Sequence, residues 1–268
     1  RPNAGKSSLV NTILRDRRTI VSNVAGTTRD AIDIPYLHDS QPYVLIDTAG
    51  MRPRSRRDTS VEVFSAMRSE KAIRRADICL LVIDIAAGIT QQDRRIAGII
   101  AEEGKPCIII VNKFDLFHPN ASRKDRMAEV EEQVRRELFF ISYAPFIATS
   151  AKKAEGVEII FKVITLIRRE SHNLPTTGQL NRLIQLAQQM NPPGAASGSA
   201  RRLKIYYATT AVDPKYNTIP VPRYVLFVND KSLLTDSYSQ YLRNKIREAY
   251  PAPGIPVIFS ARSRVRND

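Results

Sequence analysis

Two cysteines in 268 residues are too few for a disulfide framework or a four-ligand zinc site. Cys79 and Cys107 both sit in apolar runs (ICLLVID and PCIIIVN), which reads as a pair of reduced core thiols. The three histidines, His38, His118 and His172, fall in polar contexts without ligand spacing and receive no metal-binding assignment. No apolar run approaches the ~20 residues that cross a bilayer. The opening RPNAGKSS lacks the apolar region of a secretory leader, so a cytoplasmic protein without a membrane partner is expected. Acid is also scarce. Lys and Arg number 41 against 27 Asp and Glu, a formal charge of +14, which favours a polyanionic partner with nucleic acid as the first candidate. A hydrophobic content of 43% with 25% charged residues excludes wholesale disorder and collagen.

A chain of this length is expected to hold roughly two domains at about 150 residues each. Residues 1–170 carry 28 basic and 22 acidic side chains, whereas residues 171–268 carry 13 and 5, so the tail is the more basic part. A polar stretch at Ser171–Gly178 (SHNLPTTG) reads as a short linker and sets domains at 1–172 and 173–268. In the first, strands are expected at Tyr43–Ile46, Ile78–Ile83, Cys107–Val111 and Phe146–Ala148. The middle two are apolar at nearly every position, as strands covered on both faces must be. Helical patterns fall at about 60–75, 91–103, 123–138 and 155–170, and Leu9, Val10, Ile13 and Leu14 stripe a helix over about 5–15. Alternating strands and helices predict an α/β fold with a mostly parallel sheet and ligand sites at the carboxyl ends of its strands. The tail runs helix Leu180–Met190, strands Leu203–Thr209 and Tyr224–Asn229, helix Tyr238–Tyr250 and strand Pro256–Ala261, a small α+β layer. Tyr206 and Tyr207 are consecutive in a strand, so alternation puts at least one in the core.

Asn3-Ala4-Gly5-Lys6-Ser7-Ser8 is the second half of G-x-x-x-x-G-K-[ST]. Such a loop points its amides at phosphate oxygens, helped by the positive end of the following helix. Arg1, Pro2, Asn3, Ala4, Gly5 and Ser8 would line it, Lys6 would bridge the β- and γ-phosphates, and the Ser7 hydroxyl would bind Mg²⁺. The loop needs a strand before it, so an opening strand is expected upstream of Arg1. Asp47-Thr48-Ala49-Gly50 follows an apolar strand; Asp47 would hold Mg²⁺ through water and the Gly50 amide would reach the γ-phosphate. Asn112-Lys113-Phe114-Asp115 also follows a buried strand. A carboxylate at Asp115 would accept N1–H and the 2-amino group of guanine, which adenine cannot offer, and would reject adenine because a buried carboxylate without partners is costly. Asn112 would brace the loop, the Lys113 stem would lie along the base, and Ser150-Ala151-Lys152 fits a loop whose backbone meets guanine O6.

These four segments resemble, in order and spacing, the G1, G3, G4 and G5 motifs of the translation-factor-related GTPases. Val24–Asp30 (VAGTTRD) resembles the G2 segment of the Era-like branch, which implies that Thr28, or failing it Thr27, completes the Mg²⁺ shell. RPNAGKSSLVN, SNVAGTTRDAID, VLIDTAGM, RLKIYYAT, YVLFVND and SYSQYLRNKIREAY resemble the Der (EngA) GTPases, bacterial proteins with two tandem GTPase domains and a C-terminal KH-like domain that act in assembly of the large ribosomal subunit. The resemblance covers nearly the whole chain. It implies a P-loop GTPase domain, the second of the pair, followed by a KH-like domain. It also implies hydrolysis of GTP to GDP, Mg²⁺ as cofactor, and as partners the large ribosomal subunit or its rRNA, with no DNA, and an upstream first GTPase domain. Met51 stands where many GTPases have a water-orienting Gln. By resemblance to potassium-activated members, Asn3 would hold a K⁺ that neutralises charge in the transition state. The implied catalytic set is Lys6, Asn3, Thr28 and Gly50. Arg52, Arg54, Arg56 and Arg57 form either a solvated loop or an rRNA-facing patch. The tail departs from the usual KH pattern, because Lys231–Tyr250 holds no glycine for the GXXG clamp. Arg201, Arg202, Lys204 and Arg262, Arg264, Arg266 remain candidate phosphate contacts. Two rival readings stand beside this one: a P-loop ATPase, and an RNA-binding module in which GTP is mainly a structural ligand.

Overall fold

Every residue of strand β5 (Cys107–Asn112) is buried, and β4 (Cys79–Asp84) is nearly so. Strands without alternation need cover on both faces, and here they pair in parallel, Cys79 opposite Cys107 through Asp84 opposite Asn112. β6 (Phe146–Ala148) adds a third parallel strand, Ile109 opposite Phe146. On one face Leu81, Ile83, Ile109 and Val111 pack with Ala97 and Ile100 of helix Gln91–Glu102 and Val130 and Val134 of helix Arg123–Glu137. Alternation sends the buried Val82, Ile108 and Ile110 to the other. The two helices start where their side chains satisfy orphan amides. Thr90 and Asp93 form a reciprocal capping box, and Ser122 accepts from the Asp125 amide.

This computed structural model describes residues 4–16, 19–21, 33–46, 69–194, 201–212 and 219–263. The chain divides into two compact units, Arg1–Ile164 and Thr165–Asp268, the division lying inside the helix Val157–Glu170. In the first unit a separate antiparallel ribbon joins β1 (Thr19–Val21), β2 (Ile34–His38) and β3 (Gln41–Leu45). Sequence patterning finds β3 but misses β1 and β2. The overlooked signal is Asp39-Ser40, both at positive φ, which closes a two-residue hairpin whose flanking strands are short and interrupted by Pro35 and Pro42. His38 is not in a polar loop as expected. It ends β2, is buried, and stacks on Phe161 with ring centroids 3.6 Å apart. Among the described residues no helix is long and apolar enough to cross a membrane.

In the second unit the order helix Thr177–Met190, β7 (Ile205–Val212), β8 (Pro222–Val228), helix Asp236–Ala249, β9 (Ile258–Ser263) matches the expected α-β-β-α-β layer. The expected linker is shorter than its composition implies: a Thr176/Gln179 capping box starts the helix at Thr177, so Gly178 is helical. β8 is central, antiparallel to β7 and parallel to β9. Both helices cover one face, where Leu180, Ile184, Ala187, Leu242 and Ile246 meet Ala208, Tyr224, Leu226 and Val228. Tyr206 and Tyr207 overturn the alternation argument. Both are exposed, at 53% and 45%, because the register slips between Ile205 and Tyr207 and a bulge inserts one extra residue.

The two cysteines are free, buried and directly opposite each other on β4 and β5. Burial pushes the Cys79 thiol up to about 12 and the Cys107 thiol up as well. Thiolate is the reactive form. A disulfide reagent should therefore leave both untouched in the native protein and titrate both after denaturation; modification of either under native conditions would contradict this packing.

Candidate functional site

The first helix, Lys6–Arg15, begins at Gly5, whose φ of 91° is a left-handed conformation that favours glycine. No side chain caps this helix and no carboxylate stands in its first turn. Its leading amides therefore present a positive end to an anion, which is what a phosphate loop requires. Lys6 and Ser8 are exposed and Ser7 is partly covered.

A second reason makes residue 5 a glycine. A Cβ built there would overlap the Asn112 Nδ2 atom. Asn112 is 2% exposed at the carboxyl end of β5, and its carboxamide ties three segments together. Nδ2 donates to the Ala4 carbonyl at 3.0 Å, while Oδ1 accepts from the Ala151 amide at 3.0 Å and from Thr149 Oγ1 at 3.3 Å. From the other side Thr12 Oγ1 donates to the Ala151 carbonyl at 2.8 Å. Ala4, Asn112 and Ala151 are thus drawn together although 108 and 39 residues separate the bonded pairs.

The turn after β5 is shaped by Lys113, which adopts φ 61° and donates through Nζ to Asp84 Oδ2 at 2.6 Å. Asp84 ends β4 exactly as Asn112 ends β5, one residue opposite the other. Asp115 follows in a short 3₁₀ turn, Phe114–Leu116, with its side chain 10% exposed and Lys153 Nζ 3.9 Å from Oδ2. The Phe114 amide donates to Thr149 O at 3.1 Å, and the Arg126 guanidinium lies 4.7 Å over the Phe114 ring, so the turn is fixed from behind. In the third loop Ser150 bridges to Glu155 and Gly156 turns at φ 75° against the Ala148 carbonyl; Ala151 is buried and Lys152 exposed.

The structure thus brings together Ala4, Gly5, Lys6, Ser7, Ser8, Asn112, Lys113, Phe114, Asp115, Ser150, Ala151 and Lys152. Arg1, Pro2, Asn3, Thr27, Thr28, Asp47, Thr48, Ala49, Gly50, Met51 and the arginines at 52, 54, 56 and 57 lie outside the described residues. Sequence reading missed Asp84, Thr149, Thr12 and Lys153. Only Asp84 had a signal, an apolar strand ending in a carboxylate as ICLLVID does.

Residues 1–113 match the family described as 50S ribosome-binding GTPase, and residues 175–262 match the KH-domain-like family of EngA bacterial GTPase enzymes, C-terminal. The chain is 98% identical over its full length to the GTPase Der of Akkermansia muciniphila, and 44% identical over 264 residues to the GTPase Der of Caldanaerobacter subterraneus subsp. tengcongensis. It spans 58% of the length of each of these curated relatives. Among solved structures, translation elongation factor SelB from Methanococcus maripaludis, in complex with the GTP analogue GppNHp, is 18% identical over 61% of this chain and 31% of its own, with a TM-score of 0.43.

The close approach of Gly5 and Asn112 yields a coupling test. Gly5→Ala should destabilise through both its positive φ and the overlap, by about 2 kcal/mol or more. Asn112→Ala should cost about 3 kcal/mol, since it strands buried backbone partners. In the double variant the overlap is gone, so urea unfolding should show a combined loss at least ~1 kcal/mol below the sum. Strict additivity would show that the two sites do not touch.

Proposed function

We propose that this chain, 98% identical over its full length to the GTPase Der of Akkermansia muciniphila, binds guanine nucleotide, hydrolyses GTP to GDP and phosphate, and acts in the cytoplasm in assembly of the large ribosomal subunit. On this reading residues 1–172 are the GTPase domain and 173–268 the KH-like domain. The partners are the large subunit or its rRNA and an upstream first GTPase domain.

The observation that carries the reading is the Asn112 carboxamide, which joins an uncapped, carboxylate-free helix N-terminus to the turn holding Asp115. Triphosphate oxygens would lie against the amides after Gly5, with Lys6 bridging the β- and γ-phosphates. The base would meet Asp115, whose carboxylate accepts the paired N1–H and 2-amino donors of guanine, while the loop at Ser150–Lys152 faces O6. A positive helix end beside a hydroxyl at Ser7 suits a phosphate-bound Mg²⁺, with Asp47 and Thr28 completing the set; when bound, that ion supplies charge neutralisation at the phosphates. The Gly50 amide would reach the γ-phosphate. With Met51 in place of a glutamine, the attacking water is oriented by other groups, and Asn3 would hold a K⁺ beside the phosphates.

Two measurements test these assignments. Asp115→Asn should lower affinity for GTP and raise it for xanthosine triphosphate, because position 2 of the base changes from donor to acceptor; equal binding of GTP and ATP by the unaltered protein would instead favour an ATPase. Replacing NaCl by KCl should speed phosphate release, and Asn3→Asp should change that response. Equal rates in the two salts would remove the potassium assignment.

A further inference from the structure

The β7–β8–β9 sheet has both of its helices on one face. On the other, the register sets Tyr207, Phe227 and Arg262 in one row across the three strands. Tyr207 and Phe227 lean together with ring centroids 5.5 Å apart and planes tilted by 42°. The next rows on this face are Thr209, Val225 and Ser260, then Ala211, Arg223 and Ile258, so none of the nine positions is acidic. Arg223 and Arg262 are exposed. Tyr206, the extra residue of the bulge beside the row, is exposed. The exposed Arg202 and Lys204 are held at the same end of the sheet by Asn229, which accepts from the Lys204 amide at 2.8 Å and donates to the Arg202 carbonyl at 2.9 Å. Among the described residues none of Arg202, Lys204, Arg223 and Arg262 enters an ion pair.

We propose that this helix-free face of the C-terminal unit is a binding platform for single-stranded RNA, with Tyr206, Tyr207 and Phe227 stacking bases and Arg262, Arg223, Lys204 and Arg202 contacting phosphates. The inference rests on the proposed rRNA partner and assigns it a surface. Planar rings interleaved with guanidinium groups on a surface without carboxylates complement a polyanion whose bases have free faces. A duplex keeps its bases stacked on each other and offers the rings nothing, which is why the strand must be single. Residues 171–268 carry 13 basic against 5 acidic side chains, so the field around this face is attractive to phosphate. The platform also gives the unit a contact that does not depend on a glycine clamp, which the run 231–250 lacks. A bulge is a device for re-aiming a side chain, and here it turns out two rings that regular alternation would have split between the faces.

Fluorescence anisotropy of a labelled oligouridylate with the full-length protein, over a series of KCl concentrations, tests this. Tyr207→Ala should weaken binding about tenfold, Tyr206→Ala should weaken it as well, and Tyr207→Phe should bind as the unaltered protein does. Arg262→Gln should flatten the dependence of log affinity on log salt by about 0.7. A fluorescent GTP analogue should bind all variants equally and thermal unfolding should be unchanged, which separates this surface from the nucleotide site and from misfolding. The proposal is overturned if the Tyr206 and Tyr207 variants retain full affinity, or if a duplex of equal length binds as well as the single strand. It is also overturned if the unaltered protein binds nucleotide and sediments with large subunits but ignores the oligouridylate; that outcome leaves the GTPase reading intact and marks the face as covered by another part of the protein.

Discussion

The carboxamide of Asn112 holds the candidate site in register. One side chain offers a donor and an acceptor, and both are used on backbone groups of segments far apart in the chain, the loop before the first helix and the loop after β6, which the Thr12–Ala151 bond also joins. Because the group is buried, each unmade bond would leave a polar atom without water, so its geometry is strongly preferred over alternatives. Its approach to residue 5 is close enough that only a hydrogen fits there, and the helix end that would face phosphate is thereby set at a fixed distance from the turn that carries Asp115.

The strands supply the rigid base for that arrangement. β4 and β5 end together, and their last residues, Asp84 and Asn112, each direct a loop, Asp84 through the Lys113 ammonium and Asn112 through the backbone. Sites at the carboxyl ends of parallel strands gain precision this way, because the buried hydrogen-bonded ladder fixes where each loop starts. Phe114 adds a second anchor from below, pinned between the Thr149 carbonyl and the Arg126 guanidinium.

The C-terminal unit uses its sheet differently. Its helices take one face to make a core, and the other carries Tyr207, Phe227, Arg223 and Arg262 around a buried Val225. Among the described residues β7 is an edge strand, and the Asn181 side chain pairs with both backbone groups of Ala208 on it, while Asn229 prolongs the β7–β8 pairing to Arg202 and Lys204. Such local pairing blunts an edge that would otherwise invite another chain to add to the sheet.

Several features were legible in the amino-acid order alone. The buried parallel strands follow from unbroken apolar runs, the helices from apolar stripes at helical spacing, and the chemistry-bearing segments from short motifs whose residue types and spacing are dictated by phosphate and guanine. What only the tertiary structure decided are the relations across distance. The partnership of Asn112 with Ala4 and Ala151, the Lys113–Asp84 bond, the burial of His38 against Phe161 and the outward turn of both Tyr206 and Tyr207 have no local signature. Each depends on a partner tens to more than a hundred residues away, or on a one-residue slip in pairing, and periodicity along a chain records neither.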